Sequence, residues 1–350
     1  MKLSIVVPCF NVAPYLSRAM RSLVNQSLND IEIICIDDKS TDGTREILRQ
    51  WAKNDLRIRL IENKKNIGVG PSRNLGIDAA TGEYVGFLDP DDFCDFDFYE
   101  TLSRHADKTG AHAACGQLCV IDINGRKYFD PYRSAAELKK SHHNFKYHYT
   151  AIYRRDFLNA CKIRYPNLSV NEDCVFETMV KCAMGTSLGF VKGIYYYYCR
   201  RAESLNSDCW DDKKIRDSIT GVGMICDIYN SSDVSRKDYI CGAHGYFEYL
   251  CDVTFDKNKN VKTQLMVADA LCRVFRQLKF KELIRDKNFP LYLAMMNNDA
   301  NGVRSVLLAQ KFRTKTCSLF GRIPIVKTTR NAVRKDIRLF GVLILRTVEA

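Results

Sequence analysis

Between Leu3 and Leu88, short and nearly continuous apolar runs alternate with segments whose apolar residues recur at helical spacing. That alternation restricts the fold more than any single residue does. Leu3 to Pro8 is apolar at almost every position, as expected of a strand buried on both faces. A helix follows, with Pro14 in its first turn and Leu16, Ala19, Met20, Leu23 and Val24 on one stripe. Glu32 to Asp37 reads as a second strand. Asp38 to Thr44 reads as a turn of capping residues, feeding a helix that carries Ile47, Leu48, Trp51 and Ala52. Arg57 to Ile61 is a third strand, Asn66 to Pro71 a glycine-rich loop, and Ser72 to Ala80 a helix closed by Gly82. Tyr84 to Leu88 is a fourth strand. Such alternation predicts an α/β fold, Rossmann-like, with a mostly parallel sheet and helices on both faces. Right-handed crossovers then bring every strand-to-helix loop to one sheet edge, where open sheets bind ligands. That edge collects Pro8 to Asn11, Asp37 to Asp42, Asn66 to Arg73 and Asp89 to Asp92.

The fourth strand ends in Asp89-Pro90-Asp91-Asp92. Carboxylates sharing a site push one another toward protonation, and a divalent cation reverses that tendency. Mg²⁺ and Mn²⁺ favour oxygen ligands, and Mg²⁺ is commonly held by one or two carboxylates together with substrate phosphates. The cluster therefore predicts a metal and a phosphorylated ligand. The plain alternative is a solvated acidic turn. His142, His143 and His148 lack a matched ligand set and read as surface or packing residues.

From about Ala111 the pattern changes. Short strand-like pieces at Ala114 to Ile123, Ser187 to Phe190 and Ile194 to Cys199 alternate with loops, and Asp212 to about Gln310 reads as helices. The expected organisation is a ligand-binding α/β domain over 1–210, a helical region over 211–310 and a basic tail over 311–350. The net charge is +12. Val303 to Ala350 holds eleven basic residues against Asp336 and Glu349, and eleven minus two gives +9. A charge so placed expects an anionic partner or a solvated surface. The tail also holds a loose repeat, Leu319-Phe320-Gly321-Arg322-Ile323-Pro324-Ile325 and Leu339-Phe340-Gly341-Val342-Leu343-Ile344-Leu345. Two apolar pieces among cations fit a peripheral contact with an anionic membrane, or a final hairpin packed on the body. The 15 cysteines are scattered without a C-x-x-C pair, which suits reduced thiols in a cytoplasmic protein. No secretory leader and no apolar run of ~20 residues is expected from the pattern.

Several motifs then occur in order. They are Val6-Val7-Pro8-Cys9-Phe10-Asn11, Ile36-Asp37-Asp38-Lys39-Ser40-Thr41-Asp42-Gly43-Thr44, Asn66-Ile67-Gly68, Ser72-Arg73-Asn74-Leu75-Gly76, Leu88-Asp89-Pro90-Asp91-Asp92 and Asn171-Glu172-Asp173. The ordered set resembles the family 2 glycosyltransferases of GT-A fold, bacterial enzymes that build cell-surface polysaccharides. The resemblance covers roughly the first 205 residues. It implies an inverting transfer of sugar from a nucleotide-sugar, a UDP-sugar in particular, to a hydroxyl of a surface-glycan or lipid-linked acceptor. By that resemblance Pro8 and Phe10 line the base pocket, and Asp38 accepts a hydrogen bond from the uracil N–H. Asn66 and Arg73 also bind the donor nucleotide. Asp89 binds the ribose or reaches the metal through water, and Asp91 ligates Mn²⁺ or Mg²⁺. Asp173 matches the catalytic base, with Glu172 holding the acceptor, both in a loop before Cys174-Val175-Phe176. Arg201 matches a basic residue that closes over the diphosphate. Asp42 reads as a helix cap, Asp92 as structural, and Tyr195 to Tyr198 as strand packing. Pro90 departs from the small residue usual between the first two acids, but leaves both carboxylates available.

A sugar nucleotidyltransferase would also use a carboxylate-bound metal, but Pro8-Cys9-Phe10-Asn11 is not a glycine-rich phosphate loop. A nucleic-acid-binding protein would need basic patches interleaved with aromatics, and here the charge is in the tail. A sugar-binding relative without catalysis is disfavoured by the intact Asp89, Asp91 and Asp173.

Overall fold

The computed structural model describes residues 1–129, 148–185, 187–201, 211–249, 261–282, 284, 289–313, 317–319, 323–331, 334–339 and 342–348. The chain divides into two compact units, Met1–Gly242 and Ala243–Ala350.

The first unit is built on the predicted alternation. Its elements begin β1 (Leu3–Cys9), α1 (Ala13–Val24), β2 (Ile31–Asp37), α2 (Thr44–Asn54), β3 (Ile58–Glu62), α3 (Val69–Ala79) and β4 (Tyr84–Phe87). They continue as β5 (Phe93–Cys94), α4 (Phe98–Thr109), β6 (Ala113–Ile121), β7 (Lys127–Phe129), β8 (Ala151–Arg154), α5 (Arg155–Ala160), α6 (Glu172–Met184), β9 (Leu188–Cys199) and α7 (Asp212–Ser231). The strands form one sheet in the order β3-β2-β1-β4-β8-β6-β9-β5, with β7 added on β6. β1, β2, β3 and β4 are mutually parallel, as helical crossovers require. β1 and β2 are buried along their whole length, which is why they read as unbroken apolar runs. Pro8 pairs with Ile36 in β2, whereas the pairing of β1 with β4 ends at Val6 and Phe87. The missing Pro8 N–H therefore costs no bond to β4. α3 lies close on β1, and a Cβ at Gly76 would stand 2.3 Å from Val6 Cγ1.

Beyond β4 the sheet becomes mixed. β8 runs antiparallel to β4 and β6, β9 parallel to β6, and β5 antiparallel to β9. Three local readings change. The pieces Ser187 to Phe190 and Ile194 to Cys199 belong to one strand, β9, whose register against β6 slips opposite Val191 to Ile194. Gly193 there has φ 89°, and that break reads as a gap in the pattern. α3 begins at Val69, inside the expected loop, because Pro71 falls in a first turn that needs no N–H from it. Glu172 and Asp173 lie in the first turn of α6 rather than in a loop, where acidic side chains favour the helix dipole.

The second unit contains the helices Val261–Gln277, Phe289–Met296 and Ala300–Arg313, then four short strands, Cys317–Leu319, Ile323–Asn331, Arg334–Leu339 and Val342–Val348. These make a four-stranded antiparallel sheet in chain order. The two copies of the tail repeat fall at equivalent places in it. Leu319 pairs with Ile323 and Leu339 with Val342, so each copy joins neighbouring strands. Among the described residues no helix is long and apolar enough to cross a membrane.

Candidate functional site

The site is assembled where β1, β2 and β4 end, together with the start of α6. β2 ends in Asp37, whose buried carboxylate accepts from Arg45 Nε at 2.9 Å and Ser40 N at 3.2 Å. Asp38 follows, tied to β1 by its N–H on the Cys9 carbonyl at 2.8 Å. Its side chain is buried and organises a loop. One oxygen accepts from Asn63 Nδ2 at 2.8 Å and from Ile67 N at 2.9 Å, and the other from Gly68 N at 2.8 Å. Three of about four lone-pair positions are thus taken by protein donors. The Asn66 loop is held by this carboxylate, with Asn66 itself exposed. Pro8 is buried within β1, while Phe10 is 47% exposed just beyond it. Asp42 accepts from Thr44 N at 2.9 Å and from Ala13 N at 3.1 Å, so it joins the starts of α1 and α2.

The acidic turn separates its three carboxylates. Asp92 is fully buried and accepts from Tyr196 Oη at 2.9 Å and Cys199 N at 2.8 Å. The Tyr196 hydroxyl also accepts from the Asp89 N–H at 3.0 Å, so one tyrosine from β9 holds the turn at both ends. Burial, then the charges of Asp91 and Asp89, push the Asp92 carboxyl well above the usual carboxylate range. Asp91 is the partner of Arg201, whose Nε lies 2.8 Å from Oδ2. The Arg201 guanidinium also covers the Tyr15 ring at 5.2 Å. Burial and then the Asp89 charge raise the Asp91 carboxyl, and Arg201 pulls it back. Arg18 of α1 donates to the Asp91 carbonyl and lies 5.2 Å over the Phe93 ring.

Asp89 faces the other way, toward Arg73. Arg73 Nη2 donates to Asp89 Oδ1 at 2.9 Å and Nη1 to Glu172 Oε1 at 2.9 Å. Its side chain is 5% exposed and stands 5.2 Å over the Tyr165 ring. The neighbouring Asn74 fixes that ring's backbone, donating to the Tyr165 carbonyl at 2.8 Å and accepting from its N–H at 2.9 Å. Tyr165 in turn stacks on Phe176 of α6 at 4.0 Å between centroids. The start of α6 is anchored from α7, where Ser218 Oγ accepts from Asn171 Nδ2 at 3.0 Å and Asp217 accepts from Ser169 N at 2.8 Å. Asp173 is half-buried, with Oδ1 accepting from Cys174 N at 2.7 Å.

Glu172 is buried, and burial followed by the Asp173 charge pushes its carboxyl up to about 7, against the pull of Arg73. A carboxyl so raised holds its proton more tightly folded than unfolded. Its contribution to stability is complete below the ordinary value of 4.5 and is lost as pH rises through about 7. Glu172→Gln is expected to flatten that decline, because the amide has no proton to lose over this range. Melting temperature against pH measures this, and an unchanged slope would contradict it.

The structure thus brings Arg73, Asp89 and Glu172 together in one group and Asp91 and Arg201 in another. Arg18, Asn63, Asn74, Tyr165 and Tyr196 were not among the expected site residues. Asn74 sits inside the Ser72-Arg73-Asn74 motif, but the others carry no local signal. Of the histidines, His148 is buried against Phe87, Tyr149, Tyr165 and Phe176. Burial and then the Arg73 charge hold its pKa well below the ordinary imidazole value. His142 and His143 lie outside the described residues.

The residues present fit a hard divalent ion. Asp91 and Asp89 offer oxygen alone, and the raised Asp91 carboxyl marks a place where a cation favours the charged form. Among the described residues no group of three or more His, Cys, Asp or Glu side chains could hold a metal ion.

Residues 4–164 match the family model for glycosyl transferase family 2. The uncharacterized glycosyltransferase EpsJ of Bacillus subtilis is 33% identical over 186 residues, 49% of this chain and 52% of that protein. The chain therefore spans about half the length of EpsJ. An uncharacterized glycosyltransferase of Haemophilus influenzae is 32% identical over 179 residues, 50% of this chain and 69% of that protein. The fold matches the crystal structure of S. aureus TarS 1-349 in complex with UDP-GlcNAc, with a TM-score of 0.76 at 22% identity over 97% of each chain. The fold is accordingly of GT-A type, and the chain belongs to glycosyl transferase family 2.

Proposed function

We propose that this protein is an inverting, metal-dependent glycosyltransferase. It moves a sugar from a UDP-sugar to a hydroxyl of a surface-glycan or lipid-linked acceptor. The observation that carries this reading is that Asp89 of the acidic turn and Glu172 at the start of α6 meet at the single guanidinium of Arg73. The turn suits a diphosphate with its cation, and Glu172-Asp173 an acceptor hydroxyl. The UDP-GlcNAc bound to TarS supports the choice of donor class.

In this reading the loop held by Asp38, together with Phe10, receives the nucleoside. Asp91 would hold Mn²⁺ or Mg²⁺, with Asp89 reaching it through water, and the ion would supply charge stabilisation for the leaving diphosphate. Arg201 adds a forked cationic donor beside Asp91, suited to a phosphate oxygen. Asp173 takes the acceptor proton as the hydroxyl oxygen bonds to the anomeric carbon. The bond from that carbon to the diphosphate breaks on the opposite face, which inverts the configuration.

A thermal-shift panel of UDP-, GDP- and dTDP-sugars, each with and without Mn²⁺, tests the donor assignment. A ligand selective for the folded state at 100 times its Kd stabilises by about 2.7 kcal/mol. The expected result is a rise in melting temperature with UDP-sugars that is largest when Mn²⁺ is present. A panel in which no nucleotide-sugar shifts the transition contradicts the reading.

A further inference from the structure

Arg73 is the most constrained cation in the first unit's site. It comes from α3, and it meets Asp89 after β4 and Glu172 at the start of α6, partners 16 and 99 residues away in sequence. Both bonds are 2.9 Å long and use separate nitrogens. The remaining nitrogen, Nε, is buried with no hydrogen-bond partner among the described residues. One guanidinium face is covered by Tyr165. A donor nucleotide would therefore find Arg73 already engaged through both terminal nitrogens and closed from solvent.

We propose that Arg73 is a positioning residue that makes the donor half and the acceptor half of the site a single mechanical unit, acting through Asp89 and Glu172 rather than by touching the nucleotide. A planar guanidinium presents its donors in a fixed fork, so the two carboxylates are held in one mutual arrangement. A shift of Asp89 as donor binds is transmitted to Glu172, and so to Asp173 beside it at the α6 terminus. The surroundings suit a rigid coupler. Asn74 clamps the Tyr165 backbone beneath the guanidinium with two hydrogen bonds, and Tyr165 is stacked on Phe176 of the same helix that carries Glu172. Lysine at this position keeps the charge but offers no planar fork, so it can satisfy one carboxylate and not hold both in register.

This inference rests on the glycosyltransferase reading for its kinetic test but not for its structural one. In the kinetic test, Arg73→Lys and the wild type are compared by calorimetric titration with UDP-GlcNAc and Mn²⁺, and by kcat at saturating donor. A coupler predicts a loss in kcat of about 100-fold, the effect of a misplacement of order 1 Å, with donor Kd changed less than about five-fold. A direct nucleotide contact predicts the reverse split, weaker donor binding with kcat retained, and that outcome overturns the proposal. The structural test needs no turnover and no substitution at Arg73. Asp89→Asn and Glu172→Gln, singly and together, are measured by urea unfolding as a double-mutant cycle. Two carboxylates sharing one guanidinium must couple, so the double variant should depart from the sum of the singles by at least a two-fold change in the unfolding constant. Simple additivity overturns the bridge. If the cycle shows coupling while the wild type binds no nucleotide-sugar, the glycosyltransferase reading fails and the bridge stands.

Discussion

Asp173→Asn is expected to bind the donor as tightly as the wild type and to lose transfer by 100-fold or more, within the range of about 10²–10⁴ that a general base contributes. The argument is positional. Asp173 and Glu172 are adjacent in the first turn of α6, but their surroundings differ. Glu172 is buried and engaged by Arg73. Asp173 is half-buried, and one of its oxygens bonds to the Cys174 N–H. The more accessible carboxylate is the one an acceptor hydroxyl can reach. Asparagine preserves its shape and that local bond but cannot take the proton. Glu172→Gln is expected to lose less, about ten-fold, because it disturbs alignment and leaves the base in place. Transfer measured as UDP released per acceptor glycosylated distinguishes the two. If Glu172→Gln abolishes transfer and Asp173→Asn does not, the base is misassigned.

Asp91→Asn is expected to remove Mn²⁺-dependent turnover, by about 10²–10³-fold, while leaving the protein folded. Burial and the Asp89 charge already disfavour the ionised Asp91, so a neutral isostere relieves that strain as it gives up the Arg201 pair. Stability should therefore change little, by less than about 1 kcal/mol. Turnover should not survive, because the amide gives up the carboxylate charge that would hold the cation against the leaving diphosphate. Asp92→Asn would be a poorer probe. Its carboxylate is fully buried on Tyr196 and Cys199, so a loss of activity there could come from the fold alone.

The parallel half of the sheet was legible because β1 and β2 are buried on both faces and leave no polar positions to interrupt the run. The mixed half was harder to read. β9 contains a register slip that divides its pattern, and the pairing of β8 with β4 joins segments with no periodic signal between them. Ordered motifs pointed to Asp38, Arg73, Asp89, Asp91 and Glu172-Asp173, and all but Arg73, which lies inside α3, sit next to the start or end of a strand or helix. Their partners were not legible. Nothing near Asp38 in sequence announces that Asn63, Ile67 and Gly68 will occupy most of its lone pairs. Likewise Arg73 and Glu172 are brought together only by tertiary packing of α3 against the start of α6. The basic tail kept two readings open, and the Leu319–Ile323 and Leu339–Val342 pairs place the two copies of its repeat at equivalent points of one antiparallel sheet.

UDP release from a UDP-sugar in the presence of acceptor, with Mn²⁺ and with EDTA, for the wild type and Asp91→Asn side by side, tests the account most directly. The account predicts release by the wild type with Mn²⁺ only, and none above background from Asp91→Asn in either condition. Release by the wild type that is indifferent to EDTA, or undiminished release by Asp91→Asn, would contradict it.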